Sequence, residues 1–276
     1  MTQQFPRALP LLLIGCVAAL IACSKTAQTS TESTTAPEAA ASATAAASES
    51  AAPSQAPTSS ASPVATVSYT DINGIFAQKA ITDEAKLGAF ESTNSQFKPN
   101  DPLSRGEYVK WLVTLNNVYF GDAPTSQFRL PEAPEQTFTD VPQSSPDWKY
   151  VQALSDAGFV VGVDATHFAP DRLITRQEMV AIKYQVDVGH KATPDPGDTP
   201  ALLSDYVDRN QVSKLYITAI HSDLYDGGTG NIQRIWGKTV YLHPTQVLTR
   251  GEAAISLDNI AGRHASDAVA QQSQQH

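Results

Sequence analysis

Three stretches of this chain repeat one grammar: "QFKPNDPLSRGE" (96–107), "HFAPDRLITRQE" (167–178) and "YLHPTQVLTRGE" (241–252). An apolar residue, a spacer and a proline recur at Phe97/Pro99, Phe168/Pro170 and Leu242/Pro244. A hydroxyl residue follows each proline at the same offset of five, at Ser104, Thr175 and Thr249. Internal repetition constrains architecture more than any local motif, because each copy must build the same supersecondary unit.

The physics of the phrase is direct. Ser104/Glu107, Thr175/Glu178 and Thr249/Glu252 have capping-box spacing, in which hydroxyl and carboxylate each satisfy a free backbone N–H at a helix start. A helix is predicted after each box, over "GEYVKWLVTLNNVY", "QEMVAIKYQV" and "GEAAISLDNIAG". Upstream, an apolar or aromatic residue, a residue with a hydroxyl and an Asp recur, ending at Asp71, Asp140 and Asp205, and read as helix-start signals. Apolar residues at helical spacing follow, such as Val151, Leu154 and Phe159 in the second copy. Gly162 and Gly227 are expected to end the first helices of copies two and three in left-handed caps. The first copy has Glu91 near that place. Each copy is thus helix, loop, helix, and the fold class is mostly α. The third carries an insertion within 227–240, read as a loop or short hairpin.

Capping does not explain Arg105, Arg176 and Arg250. A cation in a helix's first turn opposes the macrodipole at a cost of about 0.3–1 kcal/mol when exposed. A compensating partner is required. One possibility is internal, with Asp71, Asp140 or Asp205 or with a capping Glu of a neighbouring copy. The other is an external anion gripped by guanidinium and helix N–H groups.

The segments outside the copies read differently. Arg7 precedes the apolar run Ala8–Ala22, too short for a comfortable membrane span and suited to a secretory signal. Residues 24–67 hold 36 Ala, Ser, Thr or Pro among 44 positions, with no aromatic residue. Such a segment cannot offset its chain entropy by burial, and a disordered linker is expected. Loss of residues 1–22 would leave Cys23 as the sole cysteine, so no intrachain disulfide is expected. The tail 264–276 reads as polar and disordered. The six histidines lack metal-ligand spacing, "GGTG" (227–230) is followed by no Lys-Ser/Thr, and no nucleophile elbow is present. No catalytic residue, metal or cofactor is assigned, and no basic stripe points to nucleic acid.

With these residues in hand, the three units "F-x-D…helix…G…F-x-P…[IL]-[ST]-R-x-E" resemble S-layer homology domains. "LIAC" (20–23) resembles a bacterial lipobox, which implies cleavage before Cys23 and its lipidation. The resemblance implies repeats at 68–121, 137–188 and 202–263 arranged as a pseudo-threefold helical unit, behind a signal (1–22) and a lipidated linker (23–67). It implies noncatalytic binding of peptidoglycan-linked polysaccharide, of a kind that in the family often carries pyruvate ketals, with Arg105, Arg176 and Arg250 as ligand contacts. The repeat Asp, hydroxyl and Glu residues and Trp148, the family's early-helix tryptophan, would support them. The chain would be lipid-anchored in the envelope: on the outer membrane facing the periplasm in a diderm, on the outer face of the cytoplasmic membrane in a monoderm. An alternative is docking of another envelope protein, such as a porin or secretion component. The net charge of −9 is compatible with an acidic ligand, because charges beyond about 8 Å are screened at physiological salt.

Overall fold

Glycine and carboxylate placement sets where each helix begins and ends. The computed structural model describes residues 68–274, except 91–94, 134, 161, 193–194, 196 and 226–229. The expected signal, Cys23, the linker, Glu91 and Gly227 lie outside the described residues. Within them, eight α-helices and one two-residue hairpin are present: α1 Gln78–Lys86, α2 Arg105–Tyr119, α3 Trp148–Asp156, α4 Arg176–Val188, α5 Ile217–Leu224, α6 Asn231–Trp236, α7 Arg250–Leu257 and α8 Ala265–Gln274, with β1 Asn259–Ile260 and β2 Arg263–His264.

The capping hydroxyls sit where predicted, each in extended backbone before α2, α4 and α7. Glu178 accepts from the Thr175 N–H at 2.9 Å, and Glu252 from the Thr249 N–H at 2.9 Å, completing both boxes. At Ser104 the hydroxyl accepts from the Glu107 N–H (3.2 Å). The helix after the third box stops at Leu257, and the rest of its predicted span turns into the β1–β2 hairpin.

Several expectations are corrected. The left-handed glycine after α3 is Gly158 (φ +78°), not Gly162, and Gly88 (φ +78°) does the same after α1. In both, the next N–H reaches back to the helix: Phe159 to the Leu154 carbonyl (3.0 Å) and Ala89 to that of Glu84 (3.1 Å). This is the six-to-one bond of a Schellman cap. Gly162 is needed for space, since a Cβ there would lie 2.3 Å from the Asp164 carbonyl oxygen. Among its described residues the insertion holds a helix where a loop or short hairpin was expected: residues 231–236 form α6. The tail is not disordered over 265–274 but forms α8, against α1 and α2. Gly262 (φ +82°) turns the chain back, and Ala265, Ala268 and Val269 give α8 one apolar face that burial rewards.

The centre is a closed circuit. The Ile174 N–H donates to the Leu103 carbonyl (3.0 Å), Leu103 to Leu248 (3.2 Å) and Leu248 to Ile174 (2.9 Å). All three side chains are fully buried. The free N–H groups at the helix starts are satisfied in the opposite sense: Arg105 donates to the Arg172 carbonyl, Arg176 to that of Gln246 and Arg250 to that of Asp101, each at 2.9 Å. Each repeated phrase therefore finishes the hydrogen bonding of another.

Candidate functional site

The site grows from the three loops that precede the capping boxes. In each, a residue with a side chain adopts left-handed backbone: Lys98 (φ 58°), Ala169 (φ 58°) and His243 (φ 51°). That conformation is disfavoured for residues bearing a Cβ, so something must hold it. Asp71 accepts from the N–H groups of Phe97 (2.8 Å) and Lys98 (2.7 Å), and Asp140 from those of Phe168 (2.9 Å) and Ala169 (2.7 Å). These aspartates thus clamp a loop rather than start a helix, because α1 and α3 begin seven and eight residues further on. In the third segment the clamp is Asp208, which holds Leu242 (3.0 Å) and His243 (2.7 Å). The sequence reading chose Asp205, three residues too early, because "LSD" preserves the hydroxyl that "YVD" (206–208) lacks. The insertion lengthens the third separation to 34 residues against 26 and 28, so spacing to the loop did not pick out Asp208 either.

The arginines form a ring with the capping glutamates. Arg105 pairs with Glu178 (3.0 Å), Arg176 with Glu252 (2.7 Å) and Arg250 with Glu107 (2.5 Å). Each Arg reaches the glutamate of another segment, in the same order as the helix-start amides and opposite to the Leu103–Ile174–Leu248 circuit. Between the two partners proposed from sequence, the structure fills the internal one, and its carboxylate comes from a neighbouring capping box. Arg105 also donates Nε–H to the Phe168 carbonyl (3.1 Å) and Arg250 to that of Phe97 (2.9 Å). Both guanidinium groups lie over aromatic faces, Arg105 over Phe168 at 4.7 Å and Arg250 over Phe97 at 4.9 Å and Trp111 at 4.8 Å.

Exposure separates the pairs. The Arg105 and Glu178 side chains are 1% and 6% exposed, those of Arg250 and Glu107 20% and 38%. Burial draws the Arg105 pKa down against the pull of Glu178. For Glu178, burial pushes the carboxyl up, but Arg105, Arg172 and the N–H and hydroxyl of Thr175 outweigh it, leaving the pKa below the usual value. Arg172, more exposed than Arg105, also pairs with Glu178.

A cavity of about 140 Å³ opens beside the innermost pair, lined by Arg105, Glu178, Gln185, Lys191, Leu215 and Tyr216 among others. Burial and then the Glu178 charge raise the Tyr216 phenol pKa, keeping it a neutral donor. Lys191 is exposed at the rim. A larger concavity of about 550 Å³ lies between residues 127–135 and α3 and contains none of the repeated residues. The chemistry favours the smaller one. Sequence reasoning missed Lys191 and Tyr216, since neither belongs to a repeated phrase. Trp148 opens α3, half-buried, with its indole N–H on the Glu135 carbonyl (3.0 Å). Trp111, Leu112, Val180 and Ile182 are core.

Among the described residues, no group of three or more His, Cys, Asp or Glu could hold a metal ion, and no helix is long and apolar enough to cross a membrane. No curated protein matches the chain. The family model described as S-layer homology domain matches residues 68–115 and 137–180, which hold the first two phrases, both of their loop clamps and two of the three Arg–Glu boxes. Such domains are generally binding modules of the cell wall and envelope, without catalysis of their own. The chain thus carries S-layer homology domain sequence at residues 68–115 and 137–180.

Proposed function

We propose that this protein is a lipid-anchored envelope linker whose folded part binds an acidic polysaccharide attached to peptidoglycan. In this reading residues 1–22 are a signal, Cys23 carries the lipid, and 24–67 form the tether. Segment 202–263 is a third repeat beside 68–121 and 137–188, in a pseudo-threefold unit. The loop clamp of Asp208 and the Arg250–Glu107 pair support that third repeat, because they reproduce the contacts of the two matched ones.

The observation that carries the binding proposal is the cavity beside Arg105 and Glu178. It offers a phenol (Tyr216), an apolar wall (Leu215) and a solvent-facing cation (Lys191), while the Gln185 amide is held by the Phe159 and Ala181 carbonyls and the Ala192 N–H and shapes the wall. Sugars need several polar donors against an apolar surface, and an acidic substituent needs a cation that it can reach. Lys191 makes that contact, while the buried Arg105 supplies positive field and holds the groove in shape. The arginines thereby take a different role from the one expected of them. At the Arg250–Glu107 pair the guanidinium is itself partly reachable.

The test is retention of the detergent-solubilised full chain by purified sacculi, before and after chemical removal of their secondary polymer. Pelleting with intact sacculi and loss after stripping are expected. Failure to pellet with intact sacculi would refute wall binding. In cells, Cys23→Ser is expected to release the protein from the membrane fraction, and continued membrane retention would refute lipid anchoring.

A further inference from the structure

The third repeated phrase departs from the other two at its aromatic position. Phe97 and Phe168 are replaced there by Leu242, which offers Arg176 no ring. The inserted helix α6 supplies one instead. It packs across α4, whose first residue is Arg176, and α7, whose capping box supplies Glu252. Trp236 closes α6 and sets its indole over the Arg176 guanidinium, 4.4 Å from the ring centroid. Its Nε1–H donates to Glu252 Oε1 at 2.7 Å, the same oxygen that Arg176 holds at 2.7 Å. One side chain thus covers the cation and occupies the carboxylate. Arg176 differs in a second way. Its Nε is buried without a hydrogen-bond partner, whereas Arg105 and Arg250 use theirs on the loop carbonyl.

From this we infer that Trp236 is a built-in plug: it covers the Arg176–Glu252 pair and restricts wall ligand to the cavity beside Arg105–Glu178 and the partly exposed Arg250–Glu107 pair. The inference rests on the wall-binding reading and specifies which parts of that surface serve it. An indole stacked on guanidinium and bonded to the partner carboxylate competes directly with a sugar, which would use the same face and the same acceptor. The insertion acts as a specificity element, lowering the number of contacts that one chain makes with the polymer.

Two measurements decide it. In sacculus pelleting with the full chain, Trp236→Ala and the smaller but still apolar Trp236→Leu are expected to uncover the Arg176–Glu252 pair and tighten apparent binding at least threefold. Trp236→Phe, which keeps a ring over Arg176, stays near wild type. Unchanged or weaker binding by folded Ala and Leu variants overturns the plug. The second measurement uses the native chain and so does not depend on how variants fold. Hydrogen exchange is followed with and without muramidase-solubilised wall fragments. Protection is expected around 105–107 and 214–219 and not over 231–237. Protection of 231–237 overturns the plug while leaving wall binding intact. Absence of pelleting and of any protection removes wall binding itself, and the plug with it.

Discussion

Arg250 ends a path that Glu107 begins: the two residues, 143 positions apart, form a 2.5 Å ion pair that joins the last repeated phrase to the first. Glu107 lies in the first turn of α2, where its N–H is bonded to the Ser104 hydroxyl, and its carboxylate receives a cation from α7. Glu178 and Glu252 carry the same double duty more fully, completing capping boxes and ion pairs at once. A first-turn arginine opposes its own helix dipole, and the neighbouring glutamate offsets that cost.

Because Arg105 and Glu178 are almost fully enclosed, removing Arg105 leaves Glu178 buried with only the more exposed Arg172 as counter-charge. Arg105→Ala is expected to lower stability by about 3–5 kcal/mol. Arg105→Lys should recover little, since an ammonium cannot reach Glu178 and the Phe168 carbonyl through a planar fork. Urea denaturation followed by circular dichroism measures both. Near-wild-type stability of the alanine variant would show that the ring is ornamental to the fold.

The two candidate aspartates of the third segment make a clean contrast. Asp208→Ala strands two backbone N–H groups in a left-handed loop, and a loss of about 1–3 kcal/mol is expected. Asp205→Ala should change stability by less than about 0.5 kcal/mol, as an ordinary surface substitution does. Thermal melts of the two variants side by side test the assignment, and equal losses would contradict it.

Glu84 sets a pH dependence. Its side chain is fully buried and neither carboxylate oxygen has a hydrogen-bond partner. Burial first, then Asp258 and Asp83, push its pKa well above the usual value of 4.5, with Lys183 opposing. The folded chain therefore keeps a proton that the unfolded chain gives up, so Glu84's contribution to stability falls as pH rises from about 4.5 through the raised pKa. Glu84→Leu should flatten this slope and gain roughly 1–3 kcal/mol at pH 8. Urea midpoints across the pH range read the effect, and an unchanged slope would refute it. Glu178, whose pKa is depressed, acts in the opposite sense, losing its contribution only as pH falls below the usual carboxylate range.

Gly162 has no left-handed backbone to justify it, only crowding. A Cβ there would sit 2.3 Å from the Asp164 carbonyl oxygen, 2.4 Å from that of His167 and 2.8 Å from the Phe138 ring. Gly162→Ala is accordingly expected to cost about 1–3 kcal/mol through backbone displacement. A melting temperature equal to wild type would argue against that packing.

What could be read from residues alone follows a physical divide. Capping boxes are local, so α2, α4 and α7 were placed from Ser104, Thr175 and Thr249 with the right first turn. The loop clamps are contacts over 26 to 35 residues, and a plausible hydroxyl misled the choice between Asp205 and Asp208. For α8, the short apolar face of Ala265, Ala268 and Val269 is weak in a polar tail and acquires meaning only where α1 and α2 receive it. The inward turn of the arginines was one of two open readings. Choosing it required knowing that each phrase meets the glutamate of another, which no single phrase contains. Trp236 was placed in a loop because "GGTGNIQRIWGK" is punctuated by glycines, and its partners Arg176 and Glu252 lie on other elements.

The backbone circuit of Leu103, Ile174 and Leu248 has a consequence for how such a chain comes into being. In a linear array of repeats, early units can fold on their immediate neighbours and the array can be lengthened or trimmed. Here the amide of Leu103 waits for a carbonyl made 145 residues later, so the earlier segments stay incomplete until the last has emerged from the ribosome. A nascent chain stalled before Leu248 would remain open to proteases, and gain or loss of a single unit in evolution would break the loop instead of resizing it.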